Sequence, residues 1–332
     1  MELKQSINKV QIVGTLKEIN LELSTKETTL RGANGVEKKV TCNALTKKEF
    51  KNPTFLIEAR GYDIGVNFFP TYEKKLNENN EIVDNPNYKA LLSAFENYVP
   101  KSVDSENATR VIVNGNLTPN EYVDRNGEFK TFPQINAFSI SSSNVPEEDC
   151  TDAEVSGVIH TIIDETRGEE NEPTGRLVVE LYTFDRSSAL LPLKFVVESD
   201  IAGDFSDLYE AGQSVKLQYE ILTKQIGGAK KSVGTGFGRR ESHMVSGFSI
   251  TEYSIFGGDE PFDEENEYYV DVETVKKAIA ERDAMIEAKI NEAKNKVTTS
   301  TASPKGASAK ATSAGASNPF GGGSVPKTNP FA

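Results

Sequence analysis

The sequence predicts a mainly β protein: two five-stranded barrels in tandem, then one amphipathic α-helix and a disordered tail. Three observations predict it. Period-two alternation of apolar and polar residues, the mark of a half-buried strand, recurs up to about residue 255. One order of elements, strand-strand-strand-helix-strand-hairpin-strand, occurs twice, which points to duplication. Beyond residue 297 the chain is Ser, Ala, Gly, Thr and Pro with almost no large apolar side chains, too few to offset the entropy of ordering.

In the first repeat, Val10-Gln11-Ile12-Val13-Gly14-Thr15-Leu16-Lys17 alternates cleanly around one interior glycine, which in a strand marks a bulge or sharp bend. Val40, Cys42 and Ala44 alternate with Thr41 and Asn43 and predict a second strand. Residues 54–60 predict a third. Residues 67–87 are polar and Asn-rich and read as an inserted loop. Leu91, Leu92 and Phe95 fall at helical spacing within 88–98, ahead of Pro100. Residues 110–115 and 135–140 supply the last two strands. Between them 121–132 carries Asp124-Arg125-Asn126-Gly127, and Asn-Gly favours a tight hairpin turn.

The second repeat starts with Ala153-Glu154-Val155-Ser156-Gly157-Val158-Ile159, again a strand with an interior glycine. Strands follow at 175–184 and 190–197, then a short helix at 200–209 ended by Gly212, then strands at 215–222 and 245–250. Phe138-Ser139-Ile140 and Phe248-Ser249-Ile250 close the two repeats with the same tripeptide. The resulting organisation is 1–150, a first barrel with a polar insertion, and 151–256, a second barrel with a long basic hairpin. An acidic linker covers 257–270, an amphipathic helix 271–297 and the disordered tail 298–332. In that helix Val272, Val275, Ile279, Ile286 and Ile290 form an apolar stripe, broken at Arg282 and Asp283. The break favours packing on a barrel over a coiled coil.

Residues 224–244 stand out against the rest. The 332-residue chain has a formal net charge of −13, yet this stretch sets Lys224, Lys230, Lys231, Arg239 and Arg240 against one acid, Glu241. Five glycines and Phe237 are interspersed. A flexible basic hairpin on an acidic protein suits a polyanion, and an aromatic among the cations suits bases as well as phosphates. A solvated loop that binds nothing is the competing reading. A pI near 4.9 does not argue against nucleic acid, since the local charge is what a ligand meets.

Several classes are disfavoured. No run of about 18 apolar residues predicts a membrane span. Cys42 and Cys150 have no partner motif, which fits a reducing cytoplasm and disfavours zinc, so no cofactor and no metal are expected. Gly227-Gly228-Ala229-Lys230-Lys231-Ser232 misses the phosphate-loop spacing, and His160 and His243 are the only imidazoles. The chain therefore reads as a binding protein and not an enzyme.

Five strands with a helix between the third and fourth is the order of the oligonucleotide/oligosaccharide-binding (OB) barrel. Asn8-Lys9-Val10-Gln11-Ile12-Val13-Gly14-Thr15-Leu16 resembles the opening strand of the bacterial and phage single-stranded-DNA-binding (SSB) family. That resemblance implies a protein, phage-encoded, that coats single-stranded DNA in replication or recombination with little sequence preference. It implies that nucleic acid lies on strands two and three and on the loops joining strands one to two and four to five. By position these are Arg31, Lys38, Lys39, Phe55, Arg60, Tyr122, Arg125, Phe129, Lys130 and Phe132 in the first repeat. In the second they are Tyr182, Phe184, Arg186 and Lys194, with Lys224, Lys230, Lys231, Phe237, Arg239 and Arg240 of the basic hairpin. The chain has no Trp, so stacking falls to Tyr and Phe. Expected partners are single-stranded DNA or RNA, and replication or recombination proteins at the C-terminal region, in the cytoplasm of a bacterial host. A structural or assembly protein whose barrels bind other proteins is the main alternative, and a sugar-binding module is another.

Overall fold

The computed structural model describes residues 3–32, 35–49, 53–124, 126–143, 148–167, 172–226, 230–231, 243–244 and 248–300. The first half contains β1 (Asn8–Ile19), β2 (Leu21–Arg31), β3 (Glu37–Lys47), β4 (Phe55–Ala59), β5 (Tyr62–Asn67), β6 (Thr71–Tyr72), β7 (Lys74–Leu76) and β8 (Ile82–Asp84). Then come α1 (Pro86–Asn97), β9 (Arg110–Val123) and β10 (Phe129–Ser142). The second half contains β11 (Asp152–Arg167), β12 (Glu172–Phe184), β13 (Leu190–Val197), α2 (Ala202–Leu208), β14 (Ser214–Ile226), β15 (Lys230–Lys231), β16 (His243–Met244) and β17 (Phe248–Gly258). The helix α3 (Val272–Ser300) follows.

Two closed barrels result. The first runs β1-β4-β5-β10-β9 and returns to β1; the second runs β11-β12-β13-β17-β14 and returns to β11. In each, the third strand meets the fifth in parallel, β5 with β10 and β13 with β17, while the other pairings are antiparallel. With α1 and α2 between the third and fourth strands, both barrels have the OB arrangement. Alternate residues fill each interior, as period two requires. Val10, Ile12 and Leu16 of β1 meet Phe55 and Ile57 of β4 and Val111 and Val113 of β9. Val155, Leu181, Phe195, Leu217 and Tyr219 are their counterparts in the second barrel.

The interior glycines permit closure. A Cβ on Gly14 would collide with the Glu58 carbonyl oxygen, and one on Gly157 with the Tyr182 carbonyl oxygen. These are equivalent sites, where the first strand bends against the second. Backbone cannot yield as a flexible side chain does. Gly157→Val should therefore cost at least about 1–3 kcal/mol in a urea titration, and a variant as stable as the parent would contradict this packing.

The structure redraws three sequence expectations. The strand predicted at 40–44 exists within β3, but β3 pairs with β2 and β6 and stays outside the barrel. The barrel's third strand is β5, joined to β4 by Arg60 and Gly61, both at positive φ (51° and 81°). The 67–87 insertion is not a plain loop; it holds β6, β7 and β8 and leads into α1. Asn85 caps that helix, its Oδ1 accepting from the Asn87 amide at 3.1 Å, with Pro86 at the first turn, where no backbone donor is needed.

The barrels are joined side by side. β1 pairs antiparallel with β11 through Asn8↔Val155, Lys9↔Glu154 and Val10↔Ala153. Arg60 at the β4–β5 turn reaches Glu220 of β14 at 2.9 Å, and Thr223 donates to the Asp63 carbonyl at 3.0 Å. Helix α3 adds a strap. Val275, Ala278 and Ile279 pack on Val158, Phe184 and Leu190 of the second barrel. Arg282 then donates to the Leu190 carbonyl at 3.0 Å and pairs with Glu121 of β9, which Lys289 also approaches at 3.3 Å. The polar break in the apolar stripe is thus where α3 leaves one barrel and grips the other. The last strand runs to Gly258, two residues into the predicted acidic linker.

Candidate nucleic-acid interface

Long hairpins leave both barrels. The β2–β3 hairpin joins the first and second barrel strands of the first half. The outer parts of β9 and β10 join its fourth and fifth strands. In the second half β14 and β17 extend into the short antiparallel pair β15–β16, Lys230↔Met244 and Lys231↔His243.

The β9–β10 arm closes over Asp124, whose carboxylate accepts from the amides of Asn126 at 2.8 Å and Glu128 at 3.0 Å, with Gly127 at φ 80°. Lys130 sits opposite Tyr122 and Phe132 opposite Asn120. Opposed residues share a face, so Tyr122, Lys130 and Phe132 lie together. Glu121 and Phe129 lie on the other face, the one α3 braces through Arg282. Tyr122 is 47% exposed and Phe132 38%, with ring centroids 6.0 Å apart and edge to face. The exposed Lys130 pairs with Glu128 at 2.6 Å, and that ion pair lifts its ammonium above the usual range. The arm thus offers two aromatic surfaces and a cation on one side and is buttressed from the other. Phe129 is half-buried.

The other predicted residues fall into separate environments. Lys38 and Lys39 are exposed near the tip of the β2–β3 hairpin, where Arg31 pairs with Glu37 at 3.0 Å. Phe55 is fully buried in the first core. Arg60 is engaged between the barrels, by Glu220 and by Asp152 at 3.5 Å, so its charge is spent on the seam. Tyr182 stacks on His160 at 4.4 Å, and a cavity there reaches Val272 and Val275 of α3. Burial raises its hydroxyl pKa. Phe184 is buried beneath the same helix and offers no stacking face. Arg186 and Lys194 are exposed, the first in the turn after β12 and the second opposite Glu180 on β13. Lys224 is held by Glu198 at 3.1 Å and Glu252 at 2.8 Å, so it belongs to an ion network at the base of the hairpin and is not available to a phosphate. For Lys230 and Lys231 the backbone alone is described; Arg125, Phe237, Arg239 and Arg240 lie outside the described residues.

Two exposed rings carried on bulges were not among the expected site residues. Ala137 faces Gly115 and Ser139 faces Asn114, so Phe138 is the extra residue of a β-bulge and turns outward, 62% exposed. In β17 Ile255 faces Tyr219 and Gly257 faces Gln218, so Phe256 is the extra residue of the matching bulge. The structural equivalent of Phe138 is therefore Phe256; the shared Phe-Ser-Ile tripeptide at 248–250 lies at the opposite end of its strand. The sequence signal for the first bulge is spacing: Ile135, Ala137 and Ile140 point inward, and the step of three after the step of two leaves one residue over.

No curated protein matches this chain. Among solved structures it is similar to the wild-type single-stranded DNA binding protein from Thermus aquaticus, at 10% identity and a TM-score of 0.38, covering 79% of this chain and 97% of that one. A deletion mutant of the same Thermus protein aligns at 10% identity and a TM-score of 0.39, covering 79% and 98%. The sequence family described as YorF matches residues 6–293, a span that takes in both barrels and most of α3. The chain belongs to the YorF family.

Proposed function

We propose that this protein binds single-stranded DNA with little sequence preference and coats it during phage DNA replication or recombination, in the cytoplasm of the bacterial host. The observation that carries this reading is the free face of the β9–β10 arm, where Tyr122 and Phe132 are exposed beside Lys130. Aromatic rings stack on any base, and neighbouring cations follow the phosphates. The second barrel's equivalent arm carries Lys230 and Lys231 in β15 and continues into the Gly-rich basic stretch. Both arms join fourth and fifth strands, so two similar devices stand on one pair of joined barrels. Function resides in binding; the chain performs no chemistry on its ligand.

Titration of labelled oligo(dT) by fluorescence anisotropy at several salt concentrations tests this. Affinity should fall with salt, with a log-log slope of roughly −0.7 for each phosphate neutralised. Duplex DNA should bind more weakly, because its bases are not free to stack. An affinity independent of salt would remove the electrostatic half of the reading, and no binding at all would end it. Oligo(rU) in parallel reports any preference between DNA and RNA.

A further inference from the structure

The two bulged phenylalanines occupy matching positions in the two barrels, and they open onto the same groove. It holds about 610 Å³ across the β1–β11 seam, and its lining includes Phe138, Phe256, Lys9, Gln11, Asn114 and Gln218. Each ring also walls a neighbouring groove. Phe138 bounds one of about 450 Å³ that reaches Phe69 and Lys75. Phe256 bounds one of about 240 Å³ against Phe205 and Leu208. Three grooves therefore follow one another across both barrels, partitioned by two outward rings.

We propose that this succession is a second single-stranded nucleic-acid track, in which bases stack on Phe138 and Phe256 as the strand crosses from one barrel to the other. The proposal rests on the single-stranded-DNA reading above and gives it a path distinct from the arms. Three observations support a nucleic acid over a peptide. A bulge turns each large apolar side chain out of its barrel at the same fold position, leaving Phe138 62% and Phe256 48% exposed. Between them Gln11, Asn114 and Gln218 supply amides, which can both donate to and accept from base edges; Gln11 already donates to Asn114 at 3.2 Å. The groove's carboxylates lie beside cations, Glu154 by Lys216 at 2.9 Å and Lys9 at 3.8 Å, and Asp152 by Arg60 at 3.5 Å, which Glu220 shares at 2.9 Å. These pairs offset part of the seam's negative charge, and the Lys9 side chain stays 72% exposed beside the groove.

The absence of tryptophan makes the test direct. Phe138→Trp and Phe256→Trp each introduce a single indole at an exposed position. Its emission should be quenched as an oligo(dT) of about 30 nucleotides, long enough for two OB barrels, saturates the protein. The double variant Phe138→Ala/Phe256→Ala should bind the same oligonucleotide at least about tenfold more weakly. If the parent binds while the indole emission stays constant and the double variant keeps full affinity, the track is wrong and the arms alone carry binding. The groove would then be left to a protein ligand. If the parent itself binds no oligonucleotide, the single-stranded-DNA reading falls, and the track with it.

Discussion

Arg176→Met should destabilise the second barrel by about 3–5 kcal/mol. The Arg176 side chain is only 9% exposed and sits among three carboxylates: Glu252 at 2.7 Å, Glu198 at 3.1 Å and Glu165 at 3.2 Å. Lys224 completes the network through Glu198 and Glu252. Removing the guanidinium leaves the acids facing one another with one cation fewer, in a place where water cannot replace it. Burial works to raise the Glu252 carboxyl, but hydrogen bonds from Lys224 and Arg176 outweigh it and hold the pKa below the usual 4.5. A carboxyl depressed in the folded state contributes stability that is present above its unfolded pKa and is lost as pH falls through the folded one. The gap between parent and variant should therefore be widest near neutral pH and narrow as pH falls below about 4.5, where Glu252 takes up a proton more readily in the variant. Urea titrations at neutral and acid pH measure both. A gap that stays constant, or a variant as stable as the parent, would show that the network fixes geometry without adding stability.

That network also shows where sequence reading stops. Period-two alternation located the barrel strands apart from β5 and most of β17, and Gly14 and Gly157 marked both first strands. Alternation does not say which sheet a strand joins. Residues 40–44 alternate as well as any, yet they pair with β2, because a 12-residue β1 can turn directly into an inserted hairpin before the barrel resumes at β4. β5 alternates too, with Ile64 and Val66 inward, but it begins straight after a two-residue turn and is only six residues long. At the candidate site, the exposure of Tyr122, Phe132 and Lys130 was legible because a strong turn signal places them on an arm, where large side chains lack a core to enter. Lys224, Tyr182 and Phe184 were not legible in the same way. Their fates depend on Glu252, on α3 and on Leu190, contacts made by folding and unmarked in local composition. Phe138 shows the reverse error: period two assigns it to the core, and a single extra residue in the strand turns it out.

The two arms should respond differently to mutation, and that difference tests the binding mechanism. Replacing Lys230, Lys231, Arg239 and Arg240 with Ala removes four cations from a glycine-rich stretch. Thermal stability should barely change. Affinity for oligo(dT) should fall, and the salt slope should flatten by roughly 0.7 for each phosphate no longer neutralised, about 3 if all four cations take part. Tyr122→Ala/Phe132→Ala removes two exposed rings from the braced β9–β10 arm and no charge. It should cost about 1–3 kcal/mol for each stacked base and leave the salt slope where it was. The arm itself should survive, since its other face keeps the Arg282–Glu121 pair and its tip keeps the Asp124 turn. Circular dichroism and melting curves on both variants separate a binding defect from a folding defect. If the charge variant binds more weakly with an unaltered slope, its cations act on the hairpin's conformation and not on phosphates. If both variants bind oligo(dT) like the parent, neither arm touches the strand, and a protein ligand becomes the better account of these barrels.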